Sequence, residues 1–322
     1  MSALTTMEPE HVTGKEVDPS PPSLGEDPEA VLRRSSPGRF LLKVAIGVVG
    51  LGAIGGGAYF GMNALAAHRA KNVPEVKLDE VTATIGNDLF EPERPMHDVR
   101  VEAFAIDKTE VTVSAYRTCL AQGACTEPAK GAFCNLEQDG RDDHPMNCVT
   151  QEQAAAFCKW ANKRLPTEKE WERAARAIHH KKKAEEPRYN QGEGLYPWGN
   201  EIPTRRLANV CNKECRAFGA ERGQAWPAMY ADEEDGFATT APVGSFEKGD
   251  TPDGLQDMAG NVWEWTQSPY CSYPEEKCGN DIEYVIRGGG WLSYHWRNLE
   301  VTTREAMPKT DANHAVGFRC AH

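Results

Sequence analysis

Between Gly254 and Trp265 the chain reads Gly-Leu-Gln-Asp-Met-Ala-Gly-Asn-Val-Trp-Glu-Trp, with carboxylates at Asp257 and Glu264 and an amide oxygen at Asn261. The stretch is too glycine-poor for a phosphate loop and too interrupted for a helix. Hard oxygen donors on irregular backbone suit calcium, which accepts several oxygens, main-chain carbonyls included, in a tolerant geometry. A second group of reactive types is Ser293 and His295, with Glu300 or Glu305 available to orient an imidazole. These are the types of a nucleophilic hydrolase. Residues two apart on a strand share a face, however, without being hydrogen-bonded. A non-haem iron site on His295 would need a second histidine, for which His314 is available, and a carboxylate. The plainer reading is that Tyr294, His295, Trp296 and Arg297 line a recognition groove, as aromatics and arginine do at many binding surfaces. Trp291 and Trp296 also have the character of core residues.

The chain has 322 residues, with Asp+Glu 48 against Lys+Arg 36 and a net charge of -12. No basic stripe is available to neutralise phosphates, which excludes a nucleic-acid binder. Ten cysteines are present, none before Cys119. Cys119/Cys125, Cys134/Cys148, Cys211/Cys215 and Cys271/Cys278 are close in sequence, leaving Cys158 and Cys320. An even count in a loop-rich chain reads as a disulfide framework formed outside a reducing cytosol, although spacing alone does not fix connectivity. Zinc is disfavoured because no Cys-x2-Cys pair occurs.

Residues 1–39 are proline-rich and charged, with no aromatic residue before Phe40. Such a segment buries too little apolar surface to offset its ordering entropy and is expected to be a disordered cytoplasmic tail. An uncharged run from Val44 to Ala67 follows, and a transmembrane helix is expected over 40–67. As a helix the run would extend about 36 Å, enough to cross a hydrocarbon core of about 30 Å. Arg33, Arg34, Arg39 and Lys43 precede it, so the N-terminus should stay in the cytoplasm and the main domain lie in the periplasm or outside the cell. Gly52 and Gly56, and Gly57 and Gly61, have the spacing of close helix packing and suggest a weak homodimer in the membrane. Residues 68–80 are expected as a linker and 81–322 as one domain.

Within that domain Val99–Ile106 alternates polar and apolar residues, the pattern of a strand with one wet face. Thr150-Gln-Glu-Gln153 predicts a capping box opening a helix through Lys163, and Thr167-Glu-Lys-Glu170 predicts a second. The second helix should carry Trp171, Ala174 and Ala175 toward the core. The charge run from His179 to Glu186 is read as a solvated loop. Two helices, scattered strands and long pinned loops give an α+β class.

The motifs coincide with those of a known family. They are Pro95-Met-His-Asp-Val-Arg-Val, Phe104-Ala-Ile-Asp-Lys-Thr-Glu-Val-Thr112, Phe157-Cys-Lys-Trp-Ala-Asn-Lys-Arg-Leu-Pro-Thr-Glu-Lys-Glu-Trp171, Tyr196-Pro-Trp-Gly-Asn200, Asp235-Gly-Phe237, Gly260-Asn-Val-Trp-Glu-Trp265, Arg287-Gly-Gly-Gly-Trp-Leu292 and Gly317-Phe-Arg-Cys320. In order and content the chain resembles the sulfatase-modifying-factor family, which includes the formylglycine-generating enzymes, from about residue 81 to the C-terminus.

The resemblance implies a loop-rich variant of the C-type-lectin-like fold with two structural calcium sites. One would fall on Asn209 and Asp235 with main-chain oxygens of Val210 and Phe237. The other would fall on Asp257 and Glu264 with main-chain oxygens of Gly260 and Val262. It also implies a Cys158–Cys320 disulfide. The family's enzymes oxidise a cysteine of a partner sulfatase with oxygen and a Cu(I) ion held by two cysteines, and soft thiolates select that ion. The first of those cysteines corresponds to Ser293, and none occurs from Tyr294 to Thr303. Copper is therefore not expected. The expectation is a membrane-anchored, extracytoplasmic binding or accessory protein meeting proteins or peptides of the cell envelope. The alternative is an enzyme that oxidises a partner protein through an atypical site.

Overall fold

A computed structural model of the chain describes residues 64–176, 194–275, 279 and 281–322. The tail, residues 44–63 of the apolar run and the charge run His179–Glu186 lie outside the described residues. Residues 64–71 are helical, and among the described residues no helix is long and apolar enough to cross a membrane.

The fold is a mixed helix–strand domain of short elements. Strands β1 (Glu75–Leu78), β2 (Val81–Ile85), β3 (His97–Val101) and β4 (Phe104–Asp107) come first. Helices α1 (Val113–Ala121), α2 (Gln151–Trp160), α3 (Glu168–Arg176) and α4 (Lys213–Ala220) follow. Strands β5 (Trp263–Pro269), β6 (Glu283–Arg287), β7 (Arg304–Pro308) and β8 (Val316–Gly317) complete the described part. They form two two-stranded sheets, β1-β4 and β2-β3, and one four-stranded sheet in the order β7-β6-β5-β8. In the larger sheet β5 and β8 run parallel.

The strand expected over Val99–Ile106 is two strands. β3 pairs with β2, while β4 pairs with β1, so the chain changes partner at Glu102 and Ala103. β3 keeps the alternating burial that the pattern predicts, whereas all four residues of β4 are buried. β1 also takes up residues expected as linker: its pairing with β4 buries Leu78.

Both predicted capping boxes are present. Thr150 Oγ1 accepts from Gln153 N, and Gln153 Oε1 accepts from Thr150 N. Thr167 and Glu170 bond reciprocally in the same way. α2 is shorter than predicted, ending at Trp160 rather than Lys163 because Asn162 turns into the left-handed region with φ 61°. α3 buries Trp171, Ala174 and Ala175 as expected, but it also buries Glu168, Glu172 and Arg173. All three have ionic partners, that of Arg173 being Asp253 at 3.7 Å. Glu172 pairs with Arg176 at 2.7 Å and Arg287 at 2.6 Å, and Glu168 takes Arg304 through both oxygens at 2.7 and 2.8 Å. Helices α1 and α4 were not anticipated.

Four disulfides with both cysteines among the described residues staple this irregular body: Cys119–Cys125, Cys134–Cys148, Cys158–Cys320 and Cys211–Cys215. Cys271 is also disulfide-bonded, and Cys278 lies outside the described residues. The Cys158–Cys320 bridge closes a separation of 162 residues and ties α2 to the C-terminus.

Candidate functional site

The loop that leads into β5 is irregular, with Asp257 at φ 54°, Gly260 at 81° and Asn261 at 58°. At Gly260 a Cβ would lie 2.5 Å from the carbonyl oxygen of Asn209. Glycine is needed there because the two oxygen-rich loops meet backbone to backbone, sealed by the Asn261 N to Asn209 O bond of 2.9 Å. Side chains repeat the contact. Asn209 Nδ2 donates to Asn261 Oδ1 at 3.0 Å, and Ala241 N donates to that same oxygen at 2.9 Å. Asn261 Nδ2 donates to Glu110 Oε1 at 3.0 Å. Asn261, an oxygen donor by sequence, is thus engaged in pinning loops together.

The charges around this junction are unbalanced. Glu264 is buried and accepts from Arg319 at 2.7–2.9 Å and from the Trp171 indole at 2.8 Å. Arg319 is fully buried and also donates to the carbonyls of Asp107, Lys108 and Gln256. Glu110, which the sequence reading passed over, is buried with Oε2 lacking any partner. Burial, then the neighbouring Asp257 charge, push its carboxyl well above the usual range. Burial likewise raises Asp257, opposed by a hydrogen bond from Gly244 N. Three buried carboxylates thus surround one guanidinium.

At the other loop Asp235 accepts from Phe237 N at 3.0 Å and from Asn212 Nδ2 at 2.8 Å. Burial raises its carboxyl to about 6, against those hydrogen bonds. Asn209 Oδ1 is buried with no partner.

These observations test the two calcium positions. The first fits, because Asn209 presents an orphaned buried oxygen beside the loop that carries Asp235 and Phe237, and such an oxygen calls for a cation or a donor. The second fits in part. Glu110 Oε2, beside Asp257, is an orphaned buried oxygen, whereas both oxygens of Glu264 are taken by Arg319. Among the described residues no three His, Cys, Asp or Glu side chains form a metal-holding group. Any cation at either place would draw on amide and main-chain oxygens as well.

The segment after β6 positions the third candidate. Gly288 and Gly289 have φ 94° and 74°, and Arg287 is anchored on Glu172 and on the carbonyls of Val301 and Thr303. Ser293 closes a tight turn: its Oγ accepts from Gly290 N at 3.1 Å and its N donates to Gly290 O at 2.8 Å. Its carbonyl accepts from Cys211 N at 3.0 Å. His295 Nδ1 accepts from Arg297 N at 3.2 Å. The Ser293 hydroxyl and the His295 ring therefore each bond to backbone of their own turn. Glu300 is buried, and its carboxyl is raised to about 7 by burial and by the Glu93 charge, against Arg297. His314 sits against Phe133 and Trp291 at ring separations of 5.2 and 5.4 Å, and burial lowers its basicity. Trp291 is core, whereas Trp296 is 46% and Tyr294 55% exposed. Arg297 is held by Glu93 at 2.8 Å and stacks over Phe90 at 3.2 Å from the ring centre. A thiolate pair for Cu(I) does not fit here, since Ser293 supplies only a bonded hydroxyl and no cysteine among the described residues is free.

The family described as sulfatase-modifying factor enzyme 1-like domain matches residues 64–322. The chain belongs to that family. Among its relatives, the Inactive C-alpha-formylglycine-generating enzyme 2 of Mus musculus is 34% identical over 185 residues, covering 55% of this chain and 48% of the relative. The Formylglycine-generating enzyme of Thermomonospora curvata is 32% identical over 198 residues, 56% of each chain. The Hercynine oxygenase of Mycolicibacterium thermoresistibile is 29% identical over 239 residues, covering 62% of this chain and 46% of the relative. The family member thus spans about half the length of these relatives. The structure of PvdO from Pseudomonas aeruginosa has the same fold, with a TM-score of 0.56 at 23% identity over 78% of this chain and 94% of that one.

Glu110 and Arg319 both lie within the family motifs. Arg319 stands as a lone charge in Val316-Gly-Phe-Arg-Cys-Ala321, a local signal for a buried ion, whereas Glu110 follows Asp107, Lys108 and Thr109 and carries no such signal. Their convergence on Asp257 and Glu264 links residues more than fifty positions apart, which no local pattern encodes.

Proposed function

We propose that this chain is a binding or accessory protein on a formylglycine-generating-enzyme scaffold, without the copper oxidase activity. The observation that carries this reading is Ser293. At the position where the family's enzymes have their first copper cysteine, this chain has a hydroxyl that closes a turn on Gly290 N. The relation to a protein named as an inactive formylglycine-generating enzyme agrees with it. The half-exposed Tyr294 and Trp296 supply the recognition surface, and its partner is a protein or peptide of the cell envelope. The fold is the family's variant of the C-type-lectin-like architecture. Calcium occupies two structural positions, one on Asn209 and Asp235 with the carbonyls of Val210 and Phe237. The other is on Asp257 with the carbonyls of Gly260 and Val262, with Glu110 serving in place of Glu264, whose oxygens Arg319 holds. The helix over 40–67 anchors the chain, leaving residues 1–39 in the cytoplasm and the folded domain outside it.

The deciding experiment incubates purified protein with a cysteine-containing sulfatase peptide, copper and oxygen, followed by mass spectrometry of the peptide. No aldehyde should form. Aldehyde formation together with two titratable thiols and stoichiometric copper uptake would overturn the reading. Chelator should lower the melting temperature through the calcium positions, and an unchanged melt in excess chelator would remove calcium from the account.

A further inference from the structure

One short segment carries three buried side-chain oxygens without a hydrogen-bond partner: Asn209 Oδ1, Asn212 Oδ1 and Glu214 Oε2. Asn209 and Asn212 are 1% and 0% exposed. Their nitrogens are engaged, so the oxygens are what remains. Asn209 Nδ2 donates to Thr239 O and Asn261 Oδ1, and Asn212 Nδ2 donates to Asp235 Oδ2. Glu214 Oε1 accepts from Gly236 N at 2.8 Å, which brings that carboxylate onto the turn holding Asp235. Buried acceptors left without donors are costly, and a cation would satisfy several at once. Two carboxylates, Asp235 and Glu214, match a dication, and an all-oxygen set selects calcium over zinc or copper.

The same segment contains the Cys211–Cys215 disulfide, across a separation of 4 residues. Positions 209, 212 and 214 interleave with the two cysteines. The turn is otherwise held by Cys211 N on Ser293 O and by Met229 N on Cys211 O. α4, which carries Glu214 and Cys215, buries only Cys215 and Gly219. Cys211 and Cys215 are 0% and 1% exposed and pack with Trp291, so a dithiol reaches the bridge only when α4 opens locally.

We propose that Asn212 and Glu214 complete the Asn209/Asp235 calcium site and that the Cys211–Cys215 bridge sets its affinity. The inference rests on the calcium reading given above and adds to it a redox control. An external dithiol attacks the disulfide, the S–S bond breaks, and two thiols form here as the dithiol becomes a disulfide. Two electrons and two protons are transferred. The freed turn no longer holds Asn212 and Glu214 against Asp235, and calcium affinity falls. By linkage, calcium must protect the bridge from reduction by the same factor.

The test uses purified full-length chain, with calcium binding followed by displacement of terbium luminescence. Glu214→Gln and the Cys211→Ser/Cys215→Ser pair should each weaken one class of site by about tenfold, while Asp257→Asn leaves that class intact. Calcium should also shift the equilibrium of Cys211–Cys215 with dithiothreitol toward the disulfide, read by alkylation and mass spectrometry. Should the cysteine variant fail to fold, Glu214→Gln and the thiol–disulfide equilibrium still decide the matter. Wild-type affinity in Glu214→Gln together with a calcium-independent thiol–disulfide equilibrium overturns this inference and leaves the calcium reading standing. Failure of the wild-type chain to bind calcium at all removes both.

Discussion

Replacement of Arg319 by methionine probes the buried charge cluster that ties the segment after β8 to β5, to the end of β4 and to the oxygen-rich loop. Arg319 is fully buried and donates to both oxygens of Glu264 and to three main-chain carbonyls. Methionine matches the aliphatic bulk, so the loss is chiefly that of charge and donors. Glu264 would keep the Trp171 indole as its donor but lose the guanidinium that neutralises it. Removing one partner of a buried ion pair costs about 3–5 kcal/mol, because the other charge is left unpaired. At about 2–4 °C per kcal/mol for a domain of this size, melting should fall by roughly 6–20 °C. Adding Glu264→Gln removes the stranded charge while keeping an oxygen for Trp171. The double variant should therefore be less destabilised than the sum of the singles, by about 1–3 kcal/mol. Thermal and urea melts of all four proteins in excess chelator supply the cycle. A loss below about 1 kcal/mol for Arg319→Met, or strict additivity, would refute the claim that this pair neutralises the cluster.

Ser293→Cys should yield no aldehyde from a sulfatase peptide, since the second thiol is still lacking; product detected by mass spectrometry would contradict this. Trp291→Ala should cost about 3–5 kcal/mol as a core truncation, whereas half-exposed Trp296→Ala should shift the melt only slightly. Equal losses would mean that the two tryptophans share one role. Thr150→Ala should cost about 1 kcal/mol by removing the α2 cap, measured by urea denaturation. Glu300 binds its proton more readily folded than unfolded, so its contribution to stability falls as pH rises from the unfolded value through about 7. Glu300→Gln should flatten that slope and stabilise the protein above the folded value. A steeper slope in the variant would show the sign to be wrong.

Local information settled a definite part of this protein. The capping boxes at Thr150 and Thr167 were legible because a cap is a contact between residues three apart. The lack of a cysteine from Ser293 to Thr303 was legible because residue type alone decides whether a soft ligand is present. The proximity of Cys211 to Cys215 was visible in the same way, while the family motifs supplied Cys158–Cys320. The tertiary structure decided the rest. Val99–Ile106 alternates like one strand, yet its halves pair with different partners, and a pattern of period two does not name the neighbour. The charged residues of α3 look solvated by type, but Arg287 and Arg304 reach them from distant strands and allow their burial. Ser293 and His295 are close in sequence, and only the turn at Gly290 shows that each side chain bonds to backbone instead of to the other. Residue chemistry is carried one position at a time, whereas the pairing of buried charges and orphaned oxygens depends on which distant segments the fold brings within about 3 Å.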